Sequence, residues 1–557
     1  MEIQKFFKLK EVFLYIFLFV LAFLINHTAL SGWWRWDDSQ ILLHAINHSP
    51  LQYFFYPNVW HELSSANLTP WLTFSYDIDL WLSGLRPQFF YLHHILSLSL
   101  AAVMTLILFR LWVNSLWAFL GAILFLVGAP SLVVAQQLMT RHYIEGLVFT
   151  QVSLYLFVLS LRKRKIGLSW IGGMFYLLVV TAKEIYVPLV ILLPFIPEGM
   201  LRERIKHIIP FVLMTLFYIP WRWYMLGILI GGYSPIQISQ EMMKLIINGH
   251  LNMPVLLFGK GAIGYVGLSL LGLVIGAVLV LRYINLKLML ISTLLLIIPL
   301  FPLTIWPGIS ESGRYLLLLW WAICYLTTFS LSKLSLHSKR LLPFALVAYG
   351  LIFAVIFHHA WQTHKSFMPM IKEFESQGRF VWQADRSQVL LATPGISCGY
   401  WYIAGLIEIQ RRLNLKQYKP TVITDEIQLI DIDRDNLSFW RYNPSCGCVE
   451  NIANKEIEQV ITRWQKRNIV KPLSFRIEYK NQIVSWEFGP YSAGTYYLIS
   501  SGKYNLPKNG VRRASVSILK SLLSSLYVRY DSPEGWITYS PQLIFVPDGA
   551  PTVWERH

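Results

Sequence analysis

The chain has 557 residues, 55% of them hydrophobic and 14% charged, where a soluble globular domain carries roughly a quarter charged residues. Most of it therefore belongs in a bilayer, which excludes an ordinary soluble enzyme. The formal net charge of +17 has the sign of a nucleic-acid binder, but no nucleic-acid motif accompanies it, and Lys and Arg held in cytoplasmic loops account for it.

The N-terminus reads Lys5, Lys8, Lys10 and then an apolar run that is too long for a signal peptide and lacks a small-residue cleavage site. It is expected to be an uncleaved first span. Apolar runs of span length recur at 11–30, 90–111, 116–134, 143–161, 167–182, 185–199, 207–226, 254–281, 286–305, 313–331 and 341–358, eleven in all. The fifth and sixth are short and share the polar break Thr181-Ala182-Lys183-Glu184, so a broken or re-entrant pair is an alternative there. Most Lys and Arg, including Arg162 to Lys165, then fall on one side, which the positive-inside bias makes cytoplasmic. The exceptions on the other side include Arg35, Arg86, Arg141, Lys183, Arg222 and Arg314.

An odd number of spans from a cytoplasmic N-terminus places the C-terminal part outside. The expected architecture is an α-helical polytopic membrane protein of about eleven transmembrane helices over residues 1–359, with a first outer loop at 31–89. An extracytoplasmic α/β, β-rich soluble domain follows over 360–557. Within it, strands are expected at 388–393, 421–424, 496–499, 514–518, 527–530 and 542–546, helices at 400–415 and 452–467, and a hairpin over 473–488 around Lys480-Asn481. Cys398, Cys446 and Cys448 all lie beyond the last span, and a disulfide from Cys398 to Cys446 or Cys448 is expected over a metal site, since no Cys or His pair completes a ligand set.

The first outer loop begins Trp33-Trp34-Arg35-Trp36-Asp37-Asp38-Ser39-Gln40. Adjacent carboxylates against a belt of tryptophans are costly to desolvate, which favours a role in chemistry. One carboxylate would act as general base at the membrane surface while the other orients it or holds a divalent cation. The plainer alternative is that Asp38-Ser39 caps a short helix over 40–47, with Asp37 solvated beside it. Glu62, Asp77 and Asp79 are further acids in the loop; Asp77 and Asp79 lie two apart on an expected helix over 69–84, so at most one points inward.

These residues resemble a family, the GT-C glycosyltransferases, and in particular bacterial relatives of the protein O-mannosyltransferases and of the tetratricopeptide-bearing O-mannosyltransferases. The likeness rests on Trp36-Asp37-Asp38 after the first span, Thr69-Pro70-Trp71-Leu72-Thr73-Phe74, and Gly84-Leu85-Arg86-Pro87 running on to His93-His94. Lys183-Glu184 and Glu311-Ser312-Gly313-Arg314-Tyr315 are similar to later family elements, so the match extends over about residues 1–330. The family's His-Pro-x-x-x-Glu element is reduced to Pro130, and no tetratricopeptide repeats are present.

The resemblance implies inverting transfer of a sugar from a polyprenyl-phosphate donor to a protein or glycan acceptor on the outer face of the inner membrane. Asp37 and Asp38 would be catalytic, Arg141, Lys183 and Arg314 would hold the donor phosphate, and Glu184, Tyr315, His93 and His94 would contact substrate. No cofactor is fixed by the residues, and a divalent cation stays open. Two other readings share the inventory: a ligase or polymerase of lipid-linked glycans, and a lipid or polysaccharide transporter with Lys183-Glu184 lining its pathway.

Overall fold

The computed structural model describes residues 2–229, 240–284, 309–393, 400–416, 420–430, 432–480, 483–500, 502–513, 525–544 and 552–556, with a few single positions between them. The chain divides into two compact units. One comprises 1–32, 68–229 and 238–367, and the other comprises 33–67, 230–237 and 368–557.

The first unit is helical. Among the described residues, seven helices are long and apolar enough to cross a membrane, or eight if one bent pair is a single span. They follow the apolar runs of the sequence, and the run at 286–305 lies largely outside the described residues. The third run departs from a single span, because it is two helices, Ser115–Val127 and Ala129–Ala135, bent by 56°. Pro130 stands in the first turn of the second helix, where its missing N–H does no harm. The Phe125 carbonyl freed by the break accepts from Ser131 Oγ at 2.6 Å and Trp320 Nε1 at 3.1 Å, as apolar surroundings require of any broken ladder. Gly128 at the bend is obligatory, since a Cβ there would lie 2.2 Å from the Trp320 indole nitrogen.

The fifth and sixth runs are a broken pair. Helix Ile166–Ala182 ends at Lys183, whose backbone is extended, and Glu184–Phe195 continues as a 3-10 helix containing Pro188 and Pro194. Two prolines remove the N–H donors an α-helix would need there. Earlier in the chain, Pro70–Ser83 starts on a proline and stops at Gly84, whose φ of 63° suits only glycine. Of its two acids, Asp79 is buried and Asp77 half-buried, so one of the pair is inward.

The second unit contains three sheets. Strand Gln388–Leu391 lies between Thr421–Ile423 and Ser438–Asn443, parallel to both, with Cys448–Ile452 antiparallel at the edge. Helices Tyr400–Arg412 and Asn454–Arg467 belong to this α/β part, and Val389, Ile423, Phe439, Ile452, Ile457 and Ile461 form its core. A second, antiparallel sheet is built from Thr495–Ile499, Lys503–Leu506, Ser525–Asp531, Ile537–Tyr539 and Leu543–Ile544. The third contains Ser474–Lys480, Ile483–Gly489, Asn509–Arg513 and Thr552–Arg556. Phe475, Ile477 and Phe488 of the third sheet share one core with Tyr496, Leu526, Val528 and Tyr530 of the second.

The hairpin over 473–488 pairs Lys480 with Ile483 as its alternation requires, while the strand expected at 514–518 lies outside the described residues. The expected cysteine pairing is corrected: Cys446 is bonded to Cys448. Asn443 and Cys448 are register partners across a tight hairpin, and that turn brings the Cα atoms of Cys446 and Cys448 to 5.3 Å, inside the range a disulfide needs. Cys398 lies outside the described residues, and Cys324 is a buried free thiol.

Candidate active site

The acidic pair belongs to the second unit, and its two carboxylates have opposite environments. Trp36 precedes them with φ of 45°, a left-handed conformation that costs a bulky residue about 1–3 kcal/mol and is accompanied by ring contact with Phe374 at 5.3 Å. Asp38 is fully buried, and its Oδ2 accepts from the Arg35 backbone N–H at 2.8 Å. Asp37 is exposed. Among the described residues its one side-chain partner is Trp401, whose Nε1 donates to Oδ1 at 2.9 Å. Asp37 is the N-cap residue of helix Asp38–Asn47 and makes no side-chain cap bond.

Residues far along the chain hold this segment. Arg35 is buried against Glu375, its Nε donating at 2.8 Å, and the same carboxylate accepts from Trp33 N at 2.7 Å. Ser39 Oγ and Gln40 Nε2 donate to the backbone carbonyls of Tyr402 and Trp401 at 2.8 and 2.7 Å. Gly405 lets helix Tyr400–Arg412 approach so closely, since a Cβ there would fall 2.4 Å from Ser39 Oγ. The outcome is one sequestered carboxylate that shapes the turn and one presented to solvent with an indole donor.

In the first unit, Lys183, Arg314 and Tyr315 come together around Tyr143. Lys183 is 5% exposed, lies over the Tyr143 ring at 5.3 Å, and has no ion-pair partner among the described residues. The Tyr143 and Tyr315 rings meet edge-on at 6.0 Å, and the Arg314 guanidinium covers Tyr315 at 5.0 Å. His142, adjacent in the chain, lies at a tilt against Tyr143 with ring centroids 4.4 Å apart and is buried. Cations over aromatic faces are favourable, and Lys183, with no carboxylate partner among the described residues, leaves room for an anion. Glu184 does not supply that carboxylate to Lys183: it pairs with Arg222 and accepts from Leu68 N at 2.8 Å.

Arg141 has the opposite surroundings. It is fully buried, donating to Asp79 Oδ2 at 2.5 Å, to Ser75 Oγ at 3.1 Å and to the Phe90 carbonyl at 2.5 Å. His93 bridges two acids, with Nδ1 at 2.8 Å from Asp79 and Nε2 at 3.3 Å from Glu145. Glu145 also accepts from Trp71 Nε1 and Ser75 Oγ at 2.8 and 2.9 Å. His94 is buried and its Nε2 bonds the Val134 carbonyl at 2.9 Å. Arg141, Asp79, His93 and Glu145 therefore form one hydrogen-bonded network, in which Arg141 Nε has no partner among the described residues, whereas His94 bonds backbone.

Sequence reasoning overlooked Glu145 as an acid of this cluster. The available signal was its spacing of four from Arg141, which puts both on one face of helix Arg141–Lys163. Glu375 carried no signal, as its partner Arg35 is 340 residues away.

No protein-family model and no curated protein sequence matches the chain. Among solved structures, the Archaeoglobus fulgidus oligosaccharyltransferase, in complex with Zn and sulfate, is similar at 13% identity and a TM-score of 0.38, over 85% of this chain and 72% of that one. A likeness of that size does not assign the chain to a family.

Proposed function

We infer that the protein is an integral-membrane glycosyltransferase of GT-C type, moving a sugar from a polyprenyl-phosphate carrier to an acceptor on the extracytoplasmic side. The observation that carries this reading is the buried Lys183, without an ion-pair partner among the described residues and joined through two tyrosine rings to Arg314. Such a group in apolar surroundings is stabilised by an anion, and a lipid phosphate at the end of an apolar helix is the anion that fits.

In the reaction, the acceptor oxygen or nitrogen attacks the anomeric carbon and the bond from that carbon to the phosphate oxygen breaks, with inversion. Asp37 takes the acceptor's proton. Asp38 is a positioning residue, acting through its bond to Arg35 N. Lys183 and Arg314 neutralise the departing phosphate, with Glu184 and Tyr315 fixing their surroundings. Arg141, its charge matched by Asp79, supports the site without meeting the phosphate.

Comparing envelope glycans by mass spectrometry with and without the gene tests this. Loss of one sugar modification, with accumulation of the polyprenyl-phosphate sugar, is the expected result. Unchanged modification chemistry with lipid-linked glycan stranded on the inner leaflet would overturn it in favour of a transporter.

A further inference from the structure

The second unit holds another group of chemistry-bearing side chains that sugar transfer does not use. His44 lies in helix Asp38–Asn47 and His48 immediately ends it, a spacing of four that puts both rings on one face, 4.8 Å apart between centroids. Glu62 comes from helix Pro57–Leu63, and its Oε2 lies 2.8 Å from His48 Nε2. One potential ligand atom from each of the three falls within 4.8 Å of the others.

His44 is the informative member. It is 4% exposed, walled by Tyr53 and Trp60 at 6.2 and 6.1 Å between ring centroids, and its Nε2 has no hydrogen-bond partner among the described residues. An unsatisfied buried polar atom costs about 1–3 kcal/mol, so its position within an aromatic wall beside a histidine and a carboxylate calls for a partner that these contacts do not provide.

We propose that His44, His48 and Glu62 bind a divalent transition-metal ion of the zinc class, which clips the helix carrying Asp38 to helix Pro57–Leu63. Two imidazoles and one carboxylate are the ligand types zinc takes, with the fourth tetrahedral position left to water. Alkaline-earth ions are disfavoured, since they select oxygen ligands. Tetrahedral bonds near 2.1 Å place ligand atoms roughly 3.4 Å apart, inside the 4.8 Å within which these three already lie. His48 at 16% and Glu62 at 49% side-chain exposure give the ion its way in. Asp37 and Asp38 are not part of this ligand group.

The test uses the full chain, purified in detergent through a tag without histidine, stripped with chelator and titrated with Zn2+ or Co2+ alone. Its readout is metal content, so it stands or falls independently of the transferase reading. The expected result is one ion per chain, a tetrahedral Co2+ visible spectrum, and a rise in Tm on Zn2+ addition. His48→Ala and Glu62→Gln, both at partly exposed positions, should each weaken binding by at least about 100-fold while still folding, as read by an unchanged Tm in chelator. Wild-type protein that binds no ion, or variants that bind it as tightly as wild type, would overturn the proposal.

Discussion

Two charged clusters in the helical unit start from the same turn of chain and end differently. Arg141 opens helix Arg141–Lys163 and is enclosed by Asp79, Ser75 and the Phe90 carbonyl, with His93 and Glu145 completing the network. His142 and Tyr143, the next two residues, face a group in which Lys183 has no counter-charge among the described residues. A network in which the buried cation already has its counter-charge fixes structure. An unsaturated one raises the energy of the unliganded protein and lowers it when an anion arrives.

The comparison can be broken by substitution. Arg141→Ala strands a buried carboxylate and should destabilise the protein by about 3–5 kcal/mol, read by thermal unfolding in detergent, whereas Asp79→Leu with Arg141→Met should regain most of the loss. Lys183→Met removes a desolvated charge and should leave Tm unchanged or raised while sugar transfer falls about 100- to 1000-fold. A Tm loss at Lys183 matching that of Arg141 would erase the distinction. His93→Ala should cost about 1–3 kcal/mol, less than Arg141→Ala, since the imidazole is partly exposed and both acids keep other donors.

A third network, in the second unit, sharpens the contrast. Arg529 is surrounded by Asp425, Glu426 and Asp531. Burial pushes the Glu426 carboxyl up, but Arg529 and Lys503 outweigh it and hold the group below the usual carboxylate range. With the folded value depressed, its stabilisation is full above the unfolded value and is lost as pH falls through the folded one. Acid unfolding of this unit should therefore set in below about pH 4.5, and Glu426→Gln should blunt that slope slightly.

How much of this was legible in the sequence depends on range. Apolar runs placed the helices, since a bilayer enforces length and composition locally, and the polar break at Lys183-Glu184 marked the short pair. The bend at Gly128 was not visible, because it depends on Trp320 from a distant helix. In the second unit, Ile483–Gly489 and Thr495–Ile499 were readable from their alternating or continuous apolar character. Ser438–Asn443 and Cys448–Ile452 were missed, as their polar residues and the Cys446–Cys448 turn conceal a paired hairpin.

The site followed the same rule. Asp37 and Asp38 stood out beside tryptophans, but their division into an exposed and a buried carboxylate depends on Arg35, Glu375 and Trp401, contacts that no local pattern encodes. Lys183, Arg314 and Tyr315 were named separately, and only the fold joins them through Tyr143.

The most direct test of the account is Asp37→Asn, assayed for sugar transfer in membranes with the protein verified as folded. Asparagine keeps the size and the acceptor for Trp401 but cannot take a proton, so transfer should fall at least about 100-fold. Full activity in folded Asp37→Asn would contradict the assignment of the general base.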